Sequence, residues 1–114
     1  VSLDYINMVP NVKDVKGTIE FSSFFESLDK TDPLKKEIRS SFSLLKSDCT
    51  IGDKIRHNLW PQTYIQKYHI TNLWRYPLNS GWRLLYHIVG EPDGFTIYIL
   101  EALPHDEYEK RFHY

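Results

Sequence analysis

Three strand-length segments follow one another near the end of this chain, and they constrain its fold more than any other feature. "NLWRYPL" (72–78), "WRLLYHIV" (82–89) and "FTIYILEA" (95–102) are joined only by "NSG" and "GEPDG". Both connections have hairpin length and carry turn-forming residues, so the segments predict an antiparallel meander. In the central strand Trp82, Leu84, Tyr86 and Ile88 fall on one face, and Arg83, Leu85, His87 and Val89 on the other. Pro77 suits a strand end or an edge. Arg83 is the anomaly, because a guanidinium in a sheet needs either solvent or an anion.

Upstream, Asp32 and Pro33 form a strong helix start, a side-chain cap followed by a proline at the first helical position. Leu34, Ile38, Phe42 and Leu45 then make one apolar stripe, while Lys35, Lys36 and Arg39 are expected toward solvent. Ahead of it, "TIEFS" (18–22) alternates as a short strand does, and Ser23 with Glu26 reads as a capping box for a helix over about 24–30. Residues 1–17 show no clear period and read as an arm. Residues 50–70 are interrupted at Trp60-Pro61, and "TYIQKYHI" reads equally as a strand or as one to two turns of helix. In "PHDEYEKRFHY" the acids precede the bases, the order that complements a helix dipole, so a short terminal helix is expected.

These elements predict an α+β fold of order β-α-α-β-β-β-α. A helix hairpin should cover one face of an antiparallel sheet and leave the other partly open. At 114 residues the chain is long enough for one core, with an arm over 1–17 and a single domain over 18–114. The lone Cys49 allows no internal disulfide and fits a reducing compartment. No apolar run approaches the roughly 20 residues that span a bilayer, so the expected location is cytoplasmic, away from membranes.

Net charge is −1, which argues against indiscriminate binding to nucleic acid. Its distribution is uneven. Residues 50–90 carry Lys54, Arg56, Lys67, Arg75 and Arg83 against Asp53 alone, a basic island between acidic ends. There is no phosphate-binding glycine loop, and one Cys with five scattered His makes no zinc pattern. Neither a metal nor a cofactor is expected. What remains as chemistry is Arg83, which can grip a phosphate, and His87, on the same side of the strand about 13 Å away. His105 follows the last strand, where residues line a cleft rim, and Tyr108 comes three positions later. For His87 a plain solvated face is the favoured reading.

"NSGWRLLYHIV" followed by a hairpin and "FTIYILEALPHDEY" resembles the carboxy-terminal half of toxins of the RelE/ParE superfamily, in particular RelE/YafQ-like toxins of type II toxin–antitoxin systems. The motif spans about residues 72–110, and the expected element order is also that superfamily's layout. The resemblance implies a ribosome-dependent, metal-independent mRNA endonuclease, which cuts by attack of a ribose 2′-OH on the adjacent phosphate. It implies Arg83 as the phosphate ligand, His105 as the proton-transfer group and Tyr108 as the aromatic partner. Arg75, Lys67, His87 and Trp74 are the matching candidates for holding RNA. An antitoxin protein and mRNA on the ribosome are the implied partners. Against this, the chain is slightly acidic and lacks the lysines some members use. A non-catalytic member that acts by protein binding, gyrase-inhibitor-like or inactive, is therefore the alternative expectation.

Overall fold

The computed structural model describes residues 11–113. In chain order it comprises β1 (Val12–Gly17), α1 (Ile19–Ser27), α2 (Pro33–Ser47), β2 (Asp53–Lys54), a 3-10 turn (His57–Leu59), α3 (Gln62–Tyr68), β3 (Trp74–Pro77), β4 (Arg83–Glu91), β5 (Gly94–Leu103) and α4 (His105–Phe112). The five strands form one sheet in the order β1-β5-β4-β3-β2. The β3-β4-β5 meander is antiparallel as expected, and β1 adds to its far edge parallel to β5.

The first strand lies earlier than the sequence predicts. Residues 18–22 are not a strand, because Thr18 ends β1 and starts α1. Its backbone N–H donates to the Ile99 carbonyl at 3.0 Å, and its hydroxyl donates to the Leu100 carbonyl at 2.8 Å. The same hydroxyl oxygen accepts from the Phe21 N–H at 3.1 Å, capping the helix in place of Ser23. The helical period then overrides the short alternation: Phe21, Phe24, Phe25 and Leu28 recur at i, i+3, i+4 and i+7 and all join the core. Of the stretch read as an arm, residues 12–17 are β1, and residues 1–10 lie outside the described residues.

α2 begins where Asp32 and Pro33 place it, with the Asp32 carboxylate accepting from the Leu34 N–H at 2.9 Å. Lys35 differs from expectation, since it is buried. Its ammonium donates to the Leu28 carbonyl at 3.1 Å, at the end of α1, and sits 5.0 Å from the Phe25 ring centre. A cation there offsets the negative helix end and leaves no bare charge inside. The α1–α2 hairpin covers the face presenting Leu84, Tyr86, Ile97 and Ile99.

The opposite face is not left open over the β4–β5 region. Tyr64 of α3, Tyr108 and Phe112 of α4, and Ile55, Ile70 and Leu73 build a second core on Leu85, Leu100 and Leu103. A bulge enables it: Leu85 pairs with Glu101 while Tyr86 pairs with Ile99, so Leu100 is the extra residue. Leu100 and Glu101 therefore both serve the second face. The segment left undecided by sequence is helix α3, ended by His69 in the left-handed region at φ 52°.

Gly52 explains how the edge strand reaches the meander. A Cβ there would stand 2.6 Å from the Tyr86 hydroxyl and 2.7 Å from the Arg75 carbonyl, so only glycine passes. That hydroxyl accepts from the Gly52 N–H at 3.2 Å and donates to the Cys49 carbonyl at 2.8 Å. One buried tyrosine thus fixes the path from α2 into β2, and β2 carries a ligand of the site described next.

Candidate functional site: two arginines on a buried tyrosine

Arg83 opens β4 directly after the turn whose Gly81 adopts φ 86°, a conformation suited to glycine. It pairs with Pro77 of β3 on one side and Leu103 of β5 on the other, two residues before α4 starts. Arg75 of β3 lies in the next row, between Asp53 of β2 and Leu85 of β4. Both side chains converge on Tyr108 of α4. The Arg83 guanidinium stands 4.8 Å from the ring centre and that of Arg75 stands 5.6 Å away. Arg75 Nη1 also donates to the Tyr108 hydroxyl at 2.7 Å.

The two cations are not equivalent. Burial opposes the charge on Arg75, but the Tyr108 hydroxyl and the Asp53 carboxylate outweigh it and hold its pKa above the usual value. Asp53 lies 3.4 Å from Arg75 Nη2 and partly neutralises it. Arg83 donates from Nη1 to the Gly81 carbonyl at 3.0 Å, and among the described residues no carboxylate pairs with it. Glu101, the acid on the adjoining strand, is engaged elsewhere: it accepts from the Tyr64 hydroxyl at 2.5 Å and pairs with Arg111. Of the two arginines, Arg83 is thus the one without a carboxylate partner among the described residues.

His105 is the first residue of α4, one turn before Tyr108, and its side chain is largely exposed. Its Nε2 lies 2.7 Å from a carboxylate oxygen of Glu109, an i,i+4 partner on the same helix. Tyr108 itself is only 2% exposed, so its ring serves as a platform beneath the arginines.

The structure sets the other three candidates apart. Trp74 lies on the helix-covered face, stacked on Tyr86 with ring centres 6.2 Å apart. Lys67 of α3 forms an ion pair with Glu20 of α1. His87 does not lie on a solvated face: it is buried, 5.5 Å from the Tyr98 ring, and its Nδ1 lacks a hydrogen-bond partner. Sequence reasoning missed Asp53 as the tuning carboxylate, and the Tyr64–Glu101–Arg111 network that leaves Arg83 unpaired. The one available signal was the lone acid in the basic island.

Burial holds His87 below its ordinary pKa of 6.5. The unfolded chain therefore takes up a proton near that pH while the folded chain resists it. Its contribution to stability is complete above 6.5 and is lost as pH falls from there toward the folded pKa. Melting temperatures of wild type and His87→Phe, measured at successive pH values below 6.5, should diverge, with a shallower decline in the variant. Parallel declines would place the proton uptake on another group.

Among the described residues no cluster of three or more His, Cys, Asp or Glu is placed to hold a metal ion, and no helix is long and apolar enough to cross a membrane. No protein-family model matches the chain, and no curated protein does. A solved structure does: a chain of the archaeal RelE–RelB complex from Pyrococcus horikoshii OT3 superposes with a TM-score of 0.54 at 15% identity, covering 81% of this chain and 93% of that one. At that identity the likeness is one of architecture, and the architecture of this chain is a RelE-like α+β fold.

Proposed function

We propose that the chain is the toxin of a toxin–antitoxin pair and cuts mRNA on the ribosome. The observation that carries this reading is Arg83, an unneutralised guanidinium held over Tyr108 beside the start of α4, on a RelE-like frame. Charge that develops on phosphoryl oxygens during cleavage is best met by a cation already in place. Arg83 supplies it and Arg75 adds a weaker second contact. Glu109 holds His105 through Nε2, which leaves Nδ1 as an acceptor. In this reading Nδ1 takes the proton of the ribose 2′-OH as its oxygen bonds to phosphorus. The bond to the 5′-oxygen breaks, that oxygen takes a proton from solvent, and a 2′,3′-cyclic phosphate remains. A separate antitoxin of the kind paired with RelE would silence the site by covering it.

A second reading rests on a specific observation. Tyr108 offers no free face on which a base can stack, and Lys67 is occupied by Glu20. A protein that binds a partner without cleaving RNA is consistent with both. Induced expression in bacteria separates the readings. Under the first, wild type stops growth and translation and leaves new transcript ends within reading frames, while Arg83→Ala grows normally. Growth arrest by wild type without transcript cleavage supports the second reading. Normal growth of the wild-type strain removes the toxin assignment.

A further inference from the structure

A cavity lies at the β2 edge of the sheet. It has a volume of about 510 Å³ and is lined by Lys54, Ile55, Arg56, His57, Trp60 and Thr71. Asp53 and Lys54 are consecutive on β2, so their side chains leave opposite faces. Asp53 meets Arg75, whereas Lys54 stands 6.0 Å from the Trp74 ring on the other side. None of Arg75, Arg83 or Tyr108 lines this cavity.

Its aromatic wall is held in position. The Trp60 indole donates from Nε1 to the Ile55 carbonyl at 2.9 Å, and its backbone N–H donates to the His57 carbonyl at 3.1 Å. The His57 ring packs against it at 75° with centres 4.5 Å apart. No carboxylate lines the cavity, and among the described residues neither Lys54 nor Arg56 has an ion-pair partner.

We infer that this cavity binds a nucleotide, with the base against Trp60 and the phosphate held by Lys54 and Arg56. A fixed indole beside two unpaired cations suits a ligand that is flat and apolar at one end and anionic at the other. An apolar ligand would leave both cations unused, and a bare phosphate would leave the indole uncovered. Free nucleotides and single-stranded RNA share this chemistry. The inference stands apart from the proposed cleavage, because the cavity uses neither arginine of that site.

The test uses Arg83→Ala protein, so that contacts at the first site are weakened and no RNA is cut. The Trp60 indole resonance, assigned with Trp60→Phe, is followed by NMR as adenosine 5′-monophosphate, adenosine, inorganic phosphate or tetra-adenylate is added. Adenosine 5′-monophosphate should shift the resonance, and adenosine or phosphate alone should bind about tenfold more weakly or less. The double variant Lys54→Glu, Arg56→Glu changes only exposed side chains and should lose about tenfold or more in affinity at unchanged melting temperature. Tighter binding of tetra-adenylate assigns the cavity to an RNA chain, and equal binding assigns it to a free nucleotide. An unmoved Trp60 resonance, phosphate binding as tight as the nucleotide, or full affinity in the double variant would overturn the inference.

Discussion

Lysine in place of Arg83 is expected to reduce mRNA cleavage on programmed ribosomes by about 100-fold or more, close to the loss from alanine. The charge survives that substitution but the geometry does not. Arg83 spends one N–H on the Gly81 carbonyl and stands 4.8 Å from the centre of the Tyr108 ring. Those two contacts aim its planar fork, and the remaining donors are free to take two phosphoryl oxygens together. A lysine ammonium is a point charge and cannot offer two parallel donors to two oxygens, whichever contact it keeps. Arg75→Ala should cost less, about tenfold, because Asp53 already offsets part of that charge and the Tyr108 hydroxyl already takes one of its donors. Cleavage rates with matched thermal melts check both. Wild-type rates in Arg83→Lys would reduce the site to a point charge and remove the argument from orientation.

Much of this site was legible before the fold was known, because its members sit at element boundaries that carry strong local signals. Ser80-Gly81 marks a turn, so Arg83 falls at the start of the strand expected over 82–89, and Gly81 does take a positive φ. Asp32 with Pro33, and the acid-then-base order after His105, likewise place α2 and α4 where they lie. Local signals fail where two periods compete over few residues. Ile19 and Phe21 alternate as a strand does, yet Ile19 ends 83% exposed, and the longer phenylalanine stripe decides for helix. Val12 and Val15 show neither period, so β1 is recognisable only once β5 is there to pair with it.

Contacts between distant segments were not legible at all. Lys67 looked free until Glu20 of α1 met it, and Lys35 looked solvated until the α1 terminus closed over it. The resemblance implies Tyr108 as the aromatic partner of the site, although Phe112 four residues on already hints at a buried helical stripe. A residue's type sets what chemistry it can perform, but its neighbours from other elements decide whether it faces a ligand.

Tyr108 tests that point most directly, since it joins the second core to the arginines. Tyr108→Ala is expected to destabilise the protein by about 3–5 kcal/mol, the range for deleting a buried aromatic ring. The ring is 2% exposed and stacks on Phe112 with centres 4.6 Å apart, so the void cannot fill from solvent without wetting the core. Tyr108→Phe keeps the ring and removes only the hydroxyl that accepts from Arg75, a hydrogen bond to a charged donor worth about 1.5–3 kcal/mol at most. Because Arg75 is partly exposed and keeps Asp53, the stability loss should fall at or below the low end of that range. Denaturant melts of the two variants measure the difference. If the phenylalanine variant keeps wild-type stability but loses cleavage, the hydroxyl acts by placing Arg75. If it keeps both, Tyr108 matters as a platform for Arg83 alone, and the alanine variant then loses activity through the same collapse that lowers its stability.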